Sequence, residues 1–297
     1  MNPGMTPERG AGPALPFLLA AGLIAAGVPA LAAGAPAADD PCLRFETSAG
    51  TLVLELSRAA APRAVAALER LARGPILNLE LLPHPEAAAT AGYFDGLAFD
   101  YARPKLELRL PARVPAAAFA VPAELDAVAL GLDQERVTDA GKAMDLMQME
   151  LLPALLHPNS TRAATPTLAA WAKRFETDHD PAFLVGKSRQ ELSEALGYRF
   201  QRGLASLPAT RGAVALVPVS PTEARLTLAI LLADHPVRTG RWVVVGRVAS
   251  GLEVADAIAG RPLAQPALKD YRPLTPVAID RAQLLTGCEM AAQGDTP

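Results

Sequence analysis

The chain has 297 residues, of which 51% are hydrophobic and 20% charged, and its formal net charge is −3. This composition is typical of an ordered globular protein and excludes a disordered chain. Neither sign of charge forms a long run, so the sequence lacks the basic surface that nucleic-acid binding requires. We therefore predict no nucleic-acid partner.

The first 33 residues have the layout of a secretory signal peptide. Arg9 supplies a positive charge, residues 13–34 are apolar, and residues 30–32 form a small-x-small cleavage site. An apolar stretch of this length can also act as a retained membrane anchor, which is the alternative. We expect cleavage near Ala32, which leaves no stable membrane span and places the mature protein in the periplasm or outside the cell.

After a linker at residues 34–41, the mature chain begins with a predicted β-hairpin. Residues 43–47 and 51–56 are rich in β-forming side chains and flank a tight turn. Pro62 then opens a helix, because a proline in the first turn has no N–H that the helix needs. Gly74 ends that helix.

The middle of the chain changes from strand to helix character at about Val121, after two short strands within residues 97–110. Four helices are predicted there, at residues 124–132, 139–156, 165–177 and 188–202. Pro153 is expected to kink or end the second of them.

Strands return after this helical stretch. They are predicted at residues 213–217, 225–232, 242–248 and 277–285, with a short helix at 251–258. The order predicts a helical insertion within a β domain. The predicted boundaries are 42–112 and 211–288 for the β domain, 113–210 for the insertion and 289–297 for a C-terminal tail.

Six fragments resemble the cyclophilin family of peptidyl-prolyl cis–trans isomerases. In chain order they are residues 45–56 (the opening hairpin), 61–65 (A-P-x-T-V), 92–99 (G-Y-Y-D-G-T-x-F), 211–216 (R-G-x-V-A-M), 232–248 (L-D-G-x-H-x-V-F-G-x-V) and 274–279 (the closing strand). The resemblance implies a mainly β fold with α-helices, namely an eight-stranded closed β-barrel capped by two helices. Here the helical insertion interrupts that barrel.

Cys42 and Cys288 are the two cysteines of the chain. In an oxidising compartment two lone cysteines are more often paired than free. The family resemblance adds that the first and last barrel strands, which these residues flank, pair with each other. We therefore expect a disulfide. No C-x-x-C motif occurs, and we expect neither a metal nor a cofactor.

The resemblance also locates a candidate catalytic site. The family motif F-H-R-x-x-P falls on residues 99–104, which puts Tyr101 at the position of the catalytic arginine. The peptide-holding glutamine position falls on Arg109. Residues 101, 103 and 109 share strand parity, so Arg103 or Arg109 could bring a guanidinium to the same face. The alternative is that these arginines are ordinary exposed residues on a strand.

The positions that hold the substrate in the family have changed as well. By resemblance, the substrate-binding residues are Phe99, Leu106, Thr227, Leu228 and Trp242. The S-Q-F-F-I strand of the family falls on residues 226–230, which leaves no phenylalanine in the wall of the proline pocket.

These observations predict an exported cyclophilin-type peptidyl-prolyl isomerase that acts on proline-containing peptides or protein segments. Its activity is expected to be weak, because most of the usual active-site side chains are replaced. The alternative is a non-catalytic cyclophilin-like binding or scaffold module of the cell envelope. The sequence makes no prediction of the oligomeric state.

Overall fold

The computed structural model describes residues 40–73, 92–112, 120–156 and 165–288. The predicted signal peptide and the predicted C-terminal tail lie outside the described residues, and so does the linker up to residue 39. Within the part of the chain that is described, no helix is both long and apolar enough to cross a membrane.

The strands, numbered in chain order, carry most of the fold. They are β1 (Pro41–Thr47), β2 (Gly50–Leu56), β3 (Tyr101–Arg103), β4 (Glu107–Leu110), β5 (Ala120–Pro122), β6 (Ala213–Ser220), β7 (Glu223–Leu231), β8 (Val243–Ser250), β9 (Leu263–Gln265), β10 (Asp270–Pro273) and β11 (Ile279–Thr286). The helices are α1 (Pro62–Arg73), α2 (Ala140–Leu146), α3 (Leu152–Leu156), α4 (Pro166–Asp178), α5 (Arg189–Ala195) and α6 (Leu252–Ala259).

Nine strands form one antiparallel sheet in the order β11-β1-β2-β8-β6-β7-β4-β3, and β5 also pairs with β7. The remaining strands, β9 and β10, form a separate hairpin. The predicted opening hairpin is confirmed, with Leu43 opposite Leu54. The mainly β fold with α-helices is also confirmed.

The sheet curls into a half-barrel and differs from the expected closed barrel at its seam. Among the described residues, the end strands β3 and β11 are not paired with each other. The segments beside them meet at one bridge between Ala98 and Ala278, where the N–H of Phe99 donates to the carbonyl oxygen of Val277 at 3.0 Å. On the other side of the bridge, the N–H of Ile279 donates to the carbonyl oxygen of Leu97 at 2.8 Å.

The core lies on the concave side of the sheet. Alternate residues of neighbouring strands point inwards and are buried, among them Leu108, Val214 and Ile230. Two helices cover this core, as expected: α1 contributes Val65, and α6 contributes Ile258. Burying a side chain of this size contributes about 1.5–3 kcal/mol, so the inward face stabilises the fold more than any surface contact.

The helical part of the chain partly matches the prediction. A continuous helical segment runs from α2 through a π-helical turn at Met147–Leu151 into α3. Pro153 therefore follows a widened turn and does not end the helix. Helix α4 begins after Thr165, whose hydroxyl accepts from the N–H of Leu168. Helix α5 begins with a capping box at Ser188.

Two of the predicted helices differ from the structure. Residues 124–132 form turns and not a helix, because the carboxylate of Asp126 binds the N–H groups of Val128 and Ala129 locally. Helix α5 stops at Ala195 and not at residue 202. Gly197 follows it with a φ of 91°, the left-handed conformation that ends helices.

The segment after β5 is fastened to the first helix by a buried carboxylate. The Glu124 side chain accepts from the N–H groups of Arg63 at 3.0 Å and Ala64 at 2.9 Å. These N–H groups belong to the first turn of α1, which has no partners for them within the helix. Strand β5 also joins the sheet through β7, so the predicted insertion is attached to the sheet from its start.

The predicted disulfide is present. Cys42 in β1 is bonded to Cys288, which follows β11, and their Cα atoms are 5.5 Å apart. The two strands pair in register, with Cys42 opposite Leu285. The bond therefore joins the two ends of the described fold.

Candidate functional site

The hairpin of β3 and β4 gathers four polar side chains on one face of the sheet. Tyr101 lies opposite Arg109, and Arg103 lies opposite Glu107. Directly opposite residues project to the same side of a sheet. The structure therefore places Tyr101, Arg103 and Arg109 together, as strand parity predicts.

This face is the outer one. Ala102 and Leu108, the intervening residues of the hairpin, are buried in the core on the concave side. On the next strand, β7, Ala229 lies opposite Arg109 and Leu231 lies opposite Glu107. The candidate site is thus the convex surface of β3, β4 and β7.

A buried glutamate lies at its centre. The Glu107 side chain is 0% exposed, and its Oε1 accepts from Nη2 of Arg109 at 2.9 Å. Its Oε2 accepts from Nη1 of Arg238 at 2.6 Å. Burial alone would raise the pKa of Glu107, but the hydrogen bonds and charges of the two arginines together lower it below its usual value. Glu107 is therefore ionised at neutral pH.

Three arginines and three aromatic rings lie in contact along this face, and we refer to them as the cation–aromatic ladder. The guanidinium carbon of Arg103 lies 5.1 Å from the ring centroid of Tyr271, and the ring centroids of Tyr271 and Tyr101 are 5.5 Å apart. The guanidinium carbon of Arg109 lies 4.2 Å from the ring centroid of Tyr101 and 5.5 Å from that of Trp242. The guanidinium carbon of Arg238 lies 4.2 Å from the ring centroid of Trp242. Contacts at these distances hold a guanidinium in a fixed plane.

Tyr101 keeps its proton at neutral pH. Its pKa is raised, first because burial disfavours the phenolate and second because of the nearby charge of Glu107. The hydroxyl of Tyr101 is therefore a neutral hydrogen-bond donor. Arg109 differs, because it is always charged and its side chain remains 24% exposed.

The predicted substrate-binding residues separate into two groups. Trp242 belongs to the ladder, and Leu106 and Thr227 are partly exposed. Phe99 and Leu228, however, are buried in the core on the other side of the sheet. Their side chains are 1% and 2% exposed, and their role in substrate binding stays a prediction.

The outer face of β6, β7 and β8 is apolar but covered. Its buried residues, Ala209, Ala213, Ala215, Leu231 and Val244, form a small cluster with Ala229 among their strand neighbours. Leu207 and Trp242 pack against this cluster. The side chains of this cluster are therefore buried and not exposed on the outer face.

Residues 236–242 connect this face to the helical part of the chain, and we call them the arginine turn. Arg238 binds Glu107, whereas Arg241 binds Glu150 at the end of the π-helical segment. Gly240, with a φ of 74°, lies so close to Leu132 that a Cβ would be 2.3 Å from its Cδ1. The arginine turn is therefore fixed by ion pairs to Glu107 of the sheet and to Glu150 of the helical part.

The helical part has a concave surface of its own. A cleft of about 500 Å³ lies between α2 and residues 135–138, with Leu146, Met149 and Leu192 among its apolar lining. Glu150 also lines it, so the cleft adjoins the arginine turn.

Neither Arg238 nor Tyr271 was identified from the sequence. Arg238 stands in the H-P-V-R-T-G turn, within a fragment that resembles the family, and its position there is the one signal in the sequence that pointed to it. Tyr271 lies in the β9–β10 hairpin, where no motif or spacing pointed to it. Among the described residues, no group of three His, Cys, Asp or Glu side chains could hold a metal ion.

No protein-family model matches the chain, and no curated protein shows significant similarity to it. Solved structures that are similar to the chain include two cyclophilins. One is the cyclophilin AquaCyp293 from Hirschia baltica, with 14% identity and a TM-score of 0.42, over 83% of this chain and 74% of that chain.

The other is a cyclophilin-type peptidyl-prolyl cis–trans isomerase from Cryptosporidium parvum, with 12% identity and a TM-score of 0.41, over 84% of this chain and 98% of that chain. Both are cyclophilins. They belong to the family that the six sequence fragments resemble. The likeness is distant, and the function proposed below depends on the residues of the outer face.

Proposed function

We propose that this protein binds proline-containing segments on its outer face and catalyses the cis–trans isomerisation of X–Pro bonds weakly. The observation that supports the proposal is the position of Arg109. Its guanidinium is fixed between the rings of Tyr101 and Trp242 and is anchored to Glu107. A preorganised cation of this kind is what the reaction needs.

The chemistry follows from the resonance of the peptide bond. Rotation about an X–Pro bond is slow because the C–N bond has partial double-bond character. A guanidinium that donates a hydrogen bond near the prolyl nitrogen draws the nitrogen lone pair away from the carbonyl, which weakens that character. The resemblance implies this role for an arginine, and we assign it here to Arg109, with Arg103 as the other candidate.

Three features support weak activity. Tyr101 offers only a neutral donor at the family's arginine position, and neutral hydrogen bonds are about half as strong as charged ones. Arg109 is shared with the carboxylate of Glu107. Leu207 and Trp242 cover the apolar cluster where a proline ring would be held. Loss of one preorganised donor typically lowers a rate by about 10²- to 10³-fold.

We further propose that the protein acts after export, in the periplasm or outside the cell. The disulfide between Cys42 and Cys288 supports this, because such bonds persist in oxidising compartments. The signal-peptide pattern of the sequence supports it independently. The division into a β domain and an insertion at residues 113–210 also stays a proposal.

The test is an isomerisation assay on the mature protein with short X–Pro peptides, in which NMR exchange measures the cis–trans rate directly. We expect slow but measurable catalysis in the wild type. Arg109→Lys keeps the charge against Glu107 but lacks the planar fork, so we expect the rate to fall by at least tenfold. Tyr101→Phe should have a smaller effect, and Arg103→Ala tests the second guanidinium.

The matched control is Arg272→Ala, an exposed arginine that pairs with Asp270 outside the ladder. It should leave the rate unchanged. Catalysis at the usual rate of an efficient isomerase, or catalysis that survives loss of both Arg103 and Arg109, would contradict the proposal. Melting curves of each variant separate a catalytic effect from unfolding.

A second candidate function is a non-catalytic binding module. It is favoured by the covered apolar cluster and by Glu107, whose two ion pairs already engage Arg109 and Arg238. This candidate predicts that proline peptides bind to the wild type while their exchange rate stays at that of the free peptide.

A further inference from the structure

The cation–aromatic ladder has more positive than negative charge. Both oxygens of Glu107 are already used, one by Arg109 and the other by Arg238. Arg103 lies opposite Glu107 in the hairpin register, yet no acidic side chain of the described residues lies within ion-pair distance of it. Within the part of the chain that the structure describes, Arg103 is therefore a cation without a close counter-charge.

The orientation of Arg103 favours binding of an anion. Its guanidinium lies 5.1 Å from the ring centroid of Tyr271, and Tyr271 is in turn packed against Tyr101. A guanidinium in such a cation–π contact does not use its N–H groups as hydrogen-bond donors to the ring, so they remain available to an anion. The edge of a guanidinium matches the two oxygens of a carboxylate.

The charges around Arg103 do not cancel the preference of its guanidinium for an anion. Asp100 is a further acidic residue near this face, and the charge of Arg109 acts on it, whereas Asp270, beside Tyr271, is paired with Arg272. The pKa of Asp100 is raised, mainly by burial. Even with Asp100 and Glu107 both ionised, the three arginines leave one positive charge in excess. Lys105, exposed in the turn between β3 and β4, adds another.

We infer that the ladder selects proline-containing segments that carry an acidic side chain, and that the edge of the Arg103 guanidinium binds its carboxylate. The inference rests on the proposed function, because it assumes that the prolyl bond lies at Arg109. Arg103 and Arg109 are diagonal neighbours across the hairpin, a separation of about 7–8 Å. Two residues of an extended peptide span about 7 Å. The acidic residue is therefore two positions from the proline.

The experiment compares pairs of peptides that differ only in whether one side chain ends in a carboxylate or in an amide. Fluorescein-labelled peptides carry one proline and either Glu or Gln two positions before it, with a second pair two positions after it. Fluorescence anisotropy measures the dissociation constant with the mature protein. We expect one Glu peptide to bind about three- to tenfold more tightly than its Gln partner, with a difference that shrinks as salt is added.

Two variants test whether Arg103 causes the tighter binding of the Glu peptide. Arg103→Gln should abolish the preference for Glu, and Arg103→Lys should keep only part of it, because lysine lacks the fork. The matched control is Lys173→Gln, which makes the same change in net charge on the exposed side of α4. It should keep the full preference. Equal binding of Glu and Gln peptides, or a preference that survives Arg103→Gln, would overturn the inference.

A third peptide, in which alanine replaces the proline, separates this inference from the proposed function. If the Glu preference persists but the proline is dispensable, the carboxylate site stands and the proline-directed function fails. If proline peptides bind tightly without regard to charge, the function stands and the carboxylate site fails.

Discussion

Glu107 shows how much can depend on one side chain at this face. It is fully buried, and it holds Arg109 and Arg238 in place through both of its oxygens. A buried ion pair is not by itself strong support for stability, because desolvation opposes the attraction. Removal of only one partner is costly, however, since it leaves buried charge uncompensated.

We therefore expect Glu107→Gln to destabilise the protein by about 3 kcal/mol at pH 7. The pKa of Glu107 is lowered from 4.5 in the fold, so its ionic contribution is complete above about pH 4.5 and is lost as the pH falls through the folded value. Urea unfolding at pH 7 and pH 3 should show the gap between wild type and variant narrowing at the lower pH.

Glu46→Gln is the matched control for this experiment. Glu46 pairs with Arg44 at 3.4 Å but its side chain is 38% exposed, so its loss should have little effect at either pH. A Glu107→Gln effect that is the same at both pH values would show that the pair stabilises through packing and not through charge.

For single residues, the sequence predicted the strand face on which a side chain lies better than it predicted the ion-pair partners of that side chain. The period of two along a strand was enough to place Tyr101, Arg103 and Arg109 on one face. Glu107 shares that parity, but its ion pair with Arg238 bridges residues 131 positions apart. No local pattern encodes such a contact. Phe99 and Leu228 were assigned to substrate binding by resemblance, whereas in the structure both side chains are buried in the core.

Among the elements, β8 has the least room for change. It lies between β2 and β6, and Gly246 faces Leu56 on one side and Val214 on the other. A Cβ on Gly246 would be 1.9 Å from the carbonyl oxygen of Glu55. Because that atom belongs to the backbone of the next strand, it cannot move without breaking the ladder.

We expect Gly246→Ala to destabilise the protein by about 3 kcal/mol or to prevent folding. The control is Gly203→Ala, where the φ of 89° is unfavourable but no atom lies within 4 Å of the added Cβ. That change should cost only about 1–2 kcal/mol. The melting temperatures of the two variants show whether the steric clash at Gly246 lowers stability more than the backbone strain at Gly203 does. Equal losses would indicate that β2 and β8 can separate without cost.

The elements themselves were predicted well where a cap or a strand pattern marked them. Thr165 and Ser188 set the starts of α4 and α5, as their side-chain chemistry requires. The ends were less accurate. Gly197 stops α5 by its left-handed conformation, and the Asp126 turn replaces an expected helix. Both effects depend on local hydrogen bonds that hydrophobic spacing does not report.

For the whole molecule, the disulfide is the largest single restraint. It closes a loop with a sequence separation of 246 residues. On the chain-entropy model, such a loop contributes on the order of 5 kcal/mol, through the unfolded state. We expect the variant with both Cys42→Ser and Cys288→Ser to melt at a clearly lower temperature than the wild type.

A reducing agent should lower the melting temperature of the wild type to that of the double variant and leave the double variant unchanged. Identical melting curves with and without reductant would contradict the prediction. The pairing could be anticipated because the chain has two cysteines and a fold in which first and last strands are neighbours. The seam of the half-barrel could not, since it depends on pairing between segments that are far apart in the chain.

The same bond determines how the protein responds to mechanical force. Tension applied between Cys42 and Cys288 passes through the covalent link and does not load the hydrogen bonds between β1 and β11. The enclosed chain, whose sequence separation of 246 could extend to roughly 860 Å, stays hidden from a pulling device until the bond is reduced. Pulled at Cys42 and Cys288, the oxidised protein should therefore behave as a short, nearly inextensible tether.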